Sequence, residues 1–342
     1  MDQQKRQHVI GALLGMCIAA LLIWGWDNED SENTYHHNQG KVFGTYYNIR
    51  YEASSDLEEE IQAALEAFDN SLSLFNPHSI LSAVNDNRDT TTNATFEEMW
   101  MEAERVYALS NGAFDITVAP LVKAFGFGRK SDQLSAISPQ TIDSIRQFIG
   151  FDKVQLIDHK VIKCDPRVQI DGGAVAKGQA CDMIASVLRE QGCENYLVEI
   201  GGEIVCKGVN AEGHPWRIGI SKPNLNNEGA QDELEKILSV SNVCMATSGN
   251  YRNFYYDGEQ RRSHTIDPRT GYPVQHSVLS ATVVSSSCMR ADALATACMV
   301  LGAEESLAMM ERAKDAACYL IVAENDSLSV IISQKWDELI KK

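Results

Sequence analysis

Helix-like and strand-like segments follow one another in an irregular order along this chain, and that order constrains its fold more than any other feature. Apolar residues at helical spacing predict helices, and short β-branched runs predict strands. Several predicted strands are consecutive, which does not fit a doubly wound parallel sheet. The sequence therefore predicts an α+β fold with largely antiparallel sheets and packed helices. The predicted helices are Leu57–Leu74, Phe96–Ser110, Ser138–Gly150, Ala176–Gln191, Ala291–Leu301 and Glu304–Ala313.

Strand-like runs occupy much of the remaining chain, and the polar stretch Asn224–Glu235 is predicted to be a surface loop between two of them. No break in composition divides this region into separate domains. The predicted strands are Lys41–Tyr51, Val154–Ile157, Val161–Cys164, Val168–Asp171, Tyr196–Glu199, Ile204–Lys207, Trp216–Ser221, Val243–Thr247, Ser280–Ser285, Ala317–Ala323 and Ser329–Ser333.

The amino-terminal region carries a membrane signal. Val9–Trp26 is an 18-residue run without a charged side chain, and Lys5 and Arg6 precede it. At about 1.5 Å per residue, such a run is just long enough to span a bilayer. Because it ends in Trp24 and Trp26 and not in small residues, an uncleaved signal anchor is favoured. A cleaved signal peptide and a buried helix remain as alternatives.

The positive charges before the apolar run predict that the amino terminus stays in the cytoplasm. This orientation implies an anchor at residues 1–26, a polar linker at 27–40 and a folded domain at 41–342. The domain would then lie on the outer, periplasmic side of the cytoplasmic membrane. Cys17 follows Met16, which is too large for the usual residue before a lipidated cysteine, so lipidation is not favoured.

Charge and cysteine usage exclude several classes of function. The 342 residues include 30 Lys+Arg and 47 Asp+Glu, a formal net charge of −17. A body this acidic repels a phosphate backbone, so we expect no nucleic-acid partner. The nine cysteines form no CxxC pair and no Cys/His metal spacing. Most are expected to be small core residues, and one disulfide remains a possibility that the sequence does not assign.

The segment Asp171–Gly178 lies between a predicted strand and a predicted helix. Glycines let the backbone approach a ligand closely, and free amides at a helix start favour anionic oxygen. Lys177 adds a positive charge suited to phosphate. The pattern is neither a Walker motif nor GxGxxG, and a tight turn with a solvated lysine is the alternative.

Asp292 and Thr296 are four residues apart in a predicted helix and therefore share one face. A carboxylate and a hydroxyl are hard oxygen donors, which suit Mg²⁺ bound together with a substrate phosphate. An aspartate in a first helical turn is also a common helix cap, so this alternative stays open.

Two polar loops complete the candidate chemistry. His264–Pro273 contains two prolines and a glycine, and His264 is a candidate general base or phosphate contact, or a structural histidine. Thr247–Arg252 follows an apolar strand and either presents hydroxyls and amides to a ligand or simply turns the chain.

In this order, these segments closely resemble the FAD:protein FMN transferases of the ApbE family. The resemblance runs from about Gly40 to the carboxyl terminus. The segments that carry it are Gly44–Tyr46, Phe75–Ser79 with Asn85, Gly112–Val118, Asp171–Gly178, Gly201–Glu203, Pro215–Ile220, Thr247–Arg252, His264–Gly271 and Ala291–Thr296.

The resemblance implies Mg²⁺-dependent cleavage of FAD, with transfer of FMN to a threonine hydroxyl of a target flavoprotein and release of AMP. It implies acceptor flavoproteins that are subunits of membrane redox pumps, exposed outside the cytoplasmic membrane. An FAD pyrophosphatase that gives FMN and AMP is an alternative, and a non-catalytic flavin-binding protein is another.

The resemblance also implies roles for individual residues. Asp292 and Thr296 would ligate the metal, together with backbone oxygens of Ala174 and Ala295. His264 would assist proton removal from the acceptor, so His264 and Asp292 are the expected catalytic residues. The FAD site would be lined by Phe43, Phe75, Ala113, Phe114, Asp115, Asp171, Lys177 and Ile266.

Overall fold

An antiparallel sheet of eight strands organises the part of the chain that the computed structural model describes, which is residues 33–126, 137–223, 233–250, 254–257, 260–263, 265–324 and 327–341. The strand order is β1-β2-β5-β6-β9-β14-β15-β16, and every pair from β2 onward is antiparallel. The strands of this sheet are β1 (Thr34–Val42), β2 (Thr45–Ala53), β5 (Tyr196–Ile200), β6 (Glu203–Lys207), β9 (Val243–Gly249), β14 (Val278–Ser285), β15 (Ala317–Glu324) and β16 (Ser327–Ile332).

Within the described residues, four two-stranded sheets accompany the large sheet, each antiparallel. They pair β3 (Val154–Ile157) with β4 (Lys160–Lys163), β7 (Trp216–Ser221) with β8 (Leu234–Val240), β10 (Phe254–Asp257) with β11 (Gln260–Ser263), and β12 (Ile266–Asp267) with β13 (Tyr272–Pro273). The α-helices are α1 (Glu58–Leu72), α2 (Ile80–Asn85), α3 (Ala94–Leu109), α4 (Ala119–Ala124), α5 (Pro139–Arg146), α6 (Ala176–Glu190), α7 (Cys288–Ala313) and α8 (Trp336–Leu339), with a 3₁₀ turn at Phe151–Lys153.

The large sheet is covered on both faces, because alternate residues of its central strands enter two different cores. On β15, Cys318, Leu320 and Val322 belong to the core beneath the helices. Tyr319 and Ile321, between them, belong to a second core with the β7–β8 hairpin and α8. The α+β class with a large antiparallel sheet is therefore confirmed.

Two predictions at the start of the domain are wrong. The expected single strand Lys41–Tyr51 is a hairpin, because Phe43 and Gly44 adopt positive φ values of 50° and 76°. A two-residue turn of this kind matches the twist of the flanking strands. The expected linker 27–40 is already strand from Thr34 onward.

The expected strand Val168–Asp171 is also wrong. Its backbone groups are satisfied outside a ladder, because Ile170 N–H donates to Asn85 Oδ1 at 2.7 Å and Asp171 N–H donates to the Ile116 carbonyl at 2.7 Å. This segment is an extended connection that leads directly into the glycine-rich turn before α6.

Among the described residues, α7 is the one helix long and apolar enough to cross a membrane. It is mostly buried within the fold and contacts β14 and β9, so it is a core helix. The apolar run Val9–Trp26 lies outside the described residues. The anchor therefore stays a prediction.

His276 supports α7 where this helix is interrupted. Gly302 has φ 79° and ψ −178°, which divides α7 as the sequence predicts. His276 Nε2 lies 2.9 Å from the Met299 carbonyl at the end of the first half, while Nδ1 accepts the Val278 N–H at 3.2 Å. Burial lowers the pKa of His276.

We expect His276 to make the protein less stable in mild acid. Its folded pKa is lowered, so the unfolded chain binds the extra proton below about pH 6.5 and unfolding becomes easier as pH falls. Urea unfolding of the wild type and of His276→Asn at pH 8 and pH 5.5 checks this. The variant should lose less stability between the two pH values, and an equal loss in both proteins would contradict the role of His276.

Candidate active site

A cavity of about 410 Å³ lies where the start of α6, the first half of α7 and strand β9 meet. Its volume is within the range of small-molecule sites. Most of the residues that the sequence predicts for the site line it. These are Ala113, Phe114, Asp115, Asp171, Ala174, Lys177, Ile266, Asp292 and Thr296.

Helices α6 and α7 meet closely beside this cavity. A Cβ added at Gly178 would lie 2.6 Å from the Cys288 carbonyl carbon and 2.8 Å from Met289 N, so only glycine fits. One turn further along α6, Asp182 accepts the Cys288 and Met289 N–H groups at 3.0 and 2.9 Å. This half-buried carboxylate thus holds the amino-terminal turn of α7. Burial raises the pKa of Asp182 to about 6.

Lys177, Glu203 and Asp292 form a charged cluster in the cavity. The Lys177 ammonium lies 2.9 Å from Glu203 Oε1 and 3.4 Å from both carboxylate oxygens of Asp292. Burial lowers the pKa of Lys177, but Asp292 and Glu203 outweigh that effect, and the pKa is raised overall. Burial raises the pKa of Glu203, against the opposing effect of Lys177. The lysine is therefore the charged partner of both acids.

Asp292 and Thr296 lie on the same face of α7, as their spacing predicts, and both line the cavity. Gly178 N–H donates to Asp292 Oδ2 at 3.1 Å and not to the Ala174 carbonyl four residues before it. Ala174 lies before Ala176, the first residue of α6, so its carbonyl is outside the helical hydrogen-bond ladder. Thr296 Oγ1 lies 3.2 Å from Ser248 Oγ on β9. Three hard oxygen groups, from Asp292, Thr296 and Ala174, therefore border the same cavity.

Two further acids line the cavity and are held by neighbouring donors. Asp115 Oδ1 accepts the Thr117 N–H at 2.8 Å and the Thr117 hydroxyl at 2.7 Å. Asp171 Oδ1 accepts the Gly173 N–H at 2.8 Å. Burial raises the pKa of both carboxyl groups.

The structure does not bring every predicted residue into the cavity lining. The Phe43 ring packs on Phe68 at 5.1 Å between centroids and joins the core. Phe75 lies over Gly44 in the β1–β2 turn and is 59% exposed. Ala295 is buried in α7 and is not in the lining. His264 lies outside the described residues.

Glu203 and Ser248 also line the cavity, and the sequence predicts no individual role for either of them. Glu203 ends the segment Gly201–Glu203, and Ser248 lies in Thr247–Arg252, for which ligand contact is one of two alternatives. A glutamate that directly follows two glycines and opens an apolar strand is an unusual placement for a charge, and that was the available signal.

The described lining contains four carboxylates and one ammonium. An anionic ligand entering this cavity would be repelled unless a cation accompanied it. No set of three His, Cys, Asp or Glu side chains among the described residues is placed to hold a metal. Mg²⁺ does not need such a set, because it commonly uses one or two carboxylates together with waters and substrate phosphates. The donor groups present therefore fit Mg²⁺.

This geometry defines a class of protein, an α+β enzyme whose cavity combines an ammonium with hard oxygen donors. The ApbE family profile matches residues 43–320. The chain belongs to the ApbE family, and it is a transferase.

Named relatives support this membership. A Haemophilus influenzae FAD:protein FMN transferase is 35% identical over 315 residues, which is 88% of this chain and 90% of that protein. The solved flavin transferase ApbE from Vibrio cholerae is 34% identical with a TM-score of 0.80, over 90% of this chain and 99% of that one. The flavinyl transferase ApbE from Pseudomonas stutzeri is 30% identical with a TM-score of 0.80, over 91% and 98%.

Proposed function

We propose that this chain transfers FMN from FAD to a threonine hydroxyl of an acceptor flavoprotein and releases AMP. The observation that carries the proposal is the convergence of Lys177, Asp292 and Thr296 in one cavity of a chain whose relatives are named FAD:protein FMN transferase. In this reaction the threonine oxygen bonds to the phosphorus of the FMN moiety. The bond from that phosphorus to the bridging oxygen breaks, AMP leaves with the bridging oxygen, and the hydroxyl proton is removed.

The charges of the cavity give its residues separate tasks in this reaction. The Lys177 ammonium, fixed by Glu203, would contact the diphosphate and offset its negative charge. Asp292 and Thr296 would hold Mg²⁺ with the carbonyl of Ala174, whereas Ala295, the other carbonyl that the resemblance implies, does not line the cavity. Mg²⁺ bound there would supply charge neutralisation at the transferred phosphate.

The remaining predicted residues would bind the rest of FAD. Phe114, Asp115, Asp171 and Ile266 line the cavity beside the charged cluster, so they would orient the ligand. Phe75 is an exposed ring over the β1–β2 turn and could stack on the flavin at the outside of the site.

We propose His264 as the group that receives the acceptor proton. It immediately precedes Thr265 and Ile266, which line the cavity. His264→Asn should slow acceptor modification at least about tenfold, because a general base contributes in that range or more, while FAD binding stays unchanged. A quenched time course of acceptor modification measures the rate, and a separate FAD titration measures FAD binding. An unchanged labelling rate would contradict this role.

We propose that the acceptors are subunits of membrane redox pumps and that residues 1–26 anchor the enzyme beside them, on the outer side of the cytoplasmic membrane. The uncharged run after Lys5 and Arg6 supports this arrangement. Fractionation of cells that express the full chain tests it, and recovery of the protein in the cytoplasm would contradict it.

The reaction is tested with the full chain, FAD, MgCl₂ and a threonine-bearing acceptor flavoprotein domain. Mass spectrometry follows the acceptor, and chromatography follows AMP. We expect the mass of the acceptor to increase by one attached FMN group and AMP to be released. Chelation of Mg²⁺ should abolish both products. AMP and free FMN with an unmodified acceptor would indicate the pyrophosphatase, and bound FAD without product would indicate a carrier.

Thr296→Val should weaken metal-dependent turnover about tenfold, because it removes one hard oxygen and the hydroxyl pair with Ser248 while keeping side-chain volume. The MgCl₂ concentration for half-maximal AMP release measures the effect. Thr282→Val is the matched control, since Thr282 pairs with Thr247 at 2.9 Å but is not in the cavity lining. Equal Mg²⁺ dependence in both variants would remove Thr296 from the metal site.

A further inference from the structure

The Lys177 ammonium pairs with the Asp292 carboxylate, which a metal ion would need as a ligand. Its ammonium lies 3.4 Å from each oxygen of Asp292, and the Asp292 side chain is only 2% exposed. A divalent cation at the same oxygens would stand within a few ångströms of the ammonium. Two like charges at that distance repel strongly, so the lysine and the cation compete for Asp292.

Glu203 offers the lysine a second partner that does not face this competition. Glu203 Oε1 is the shortest polar contact of the ammonium at 2.9 Å, and the Glu203 side chain is 3% exposed. Glu203 Oε2 is buried and has no hydrogen-bond partner among the described residues. An ammonium moving away from Asp292 can be held by both oxygens of Glu203.

The backbone of Glu203 is fixed beside the cavity. Glu203 opens β6 and is paired with Ile200 of β5. Its carbonyl also accepts the Cys181 thiol at 3.3 Å. Cys181 lies one turn after Lys177 on α6, so the same helix carries the lysine and contacts the backbone of Glu203.

We infer that the Lys177 ammonium pairs with the Asp292 carboxylate in the metal-free protein and that a divalent cation must displace it. Glu203 is then the positioning residue that keeps the displaced ammonium at the cavity. This inference rests on the metal site of the proposed function. It makes metal binding in the absence of FAD weaker than Asp292 and Thr296 alone would give. It also keeps a positive charge beside the diphosphate once the cation is bound.

Binding of MnCl₂ to the full chain without FAD tests the inference, with free Mn²⁺ measured by electron paramagnetic resonance. Lys177→Met should tighten Mn²⁺ binding by about tenfold, because no ammonium has to be displaced. Lys163→Met is the matched control, since Lys163 is half-buried on carbonyls of α2 and should leave Mn²⁺ affinity unchanged. Equal or weaker binding by Lys177→Met would overturn the competition.

Glu203 is tested in two backgrounds. Glu203→Gln should weaken Mn²⁺ binding in the wild type by about threefold or more, because the displaced ammonium loses its charged partner. In the Lys177→Met background the same substitution should have a clearly smaller effect. An equal effect in both backgrounds would show that Glu203 acts on the cation directly, and its positioning role would be wrong.

Two outcomes separate this inference from the proposed function. If neither the wild type nor Lys177→Met binds Mn²⁺, the metal site itself fails. If the variants do not fold, an experimental structure of the wild type with Mn²⁺ decides the inference. The ammonium should then have left Asp292 and stayed within hydrogen-bond distance of Glu203, and an ammonium still on Asp292 beside the bound ion would contradict it.

Discussion

Replacing Asp292 by asparagine should lower FAD turnover at least about a hundredfold, the largest loss we expect from one substitution in the cavity. Asparagine has nearly the same size and can still accept the Gly178 N–H. It lacks the charge that pairs with Lys177 and that would hold Mg²⁺. AMP release at saturating FAD and MgCl₂ measures the loss, and FAD binding should fall much less.

The matched control for this prediction is Asp315→Asn. Asp315 contacts the same helix through Arg290 at 3.1 Å, but it does not line the cavity. Its removal should leave turnover within about twofold, because Arg290 keeps its second acidic partner, Glu102, at 2.8 Å. If Asp292→Asn retained most of the wild-type turnover at a similar melting temperature, Asp292 would not be a metal ligand.

Replacing Gly178 by alanine should destabilise the fold by about 3 kcal/mol and reduce turnover as well. The added Cβ would meet the Cys288 carbonyl and Met289 N, which are backbone atoms of α7 and cannot rotate away. Helices α6 and α7 would have to separate, and the Gly178 N–H would lose Asp292. Urea unfolding measures the stability change.

Gly172→Ala is the control for this substitution because it changes the same glycine-rich segment. A Cβ at Gly172 would lie 3.7 Å from Met99 Sδ, which is ordinary contact, so stability should change by less than about 1 kcal/mol. If Gly178→Ala were as stable as Gly172→Ala, the close approach of α6 and α7 would not matter for the fold.

Periodicity was enough to predict most of the fold, since helical spacing located α1, α3, α6 and both halves of α7. Periodicity failed where side chains, and not a neighbouring strand, form hydrogen bonds with an extended backbone. Nothing local in Val168–Asp171 shows that Asn85 satisfies its backbone. The β1–β2 turn was missed because Phe43 at positive φ gives no turn signal.

The candidate site was predictable as a set of residues but not as a set of contacts. The spacing of Asp292 and Thr296 indicated a shared face, and the resemblance to the family brought Lys177 and Asp171 to the same site. The pairing of Lys177 with Glu203 joins residues 26 positions apart across a helix and a strand. Such a contact depends on tertiary packing, so the sequence predicts no individual role for Glu203.

An experimental structure of the full chain with FAD and Mg²⁺ would show whether this cavity holds the diphosphate and the metal. We expect the diphosphate of FAD to lie in the cavity between Lys177 and the oxygens of Asp292 and Thr296, with the metal on those oxygens. FAD bound elsewhere, or a diphosphate in the cavity with no contact to Lys177 and no metal at Asp292, would contradict the account.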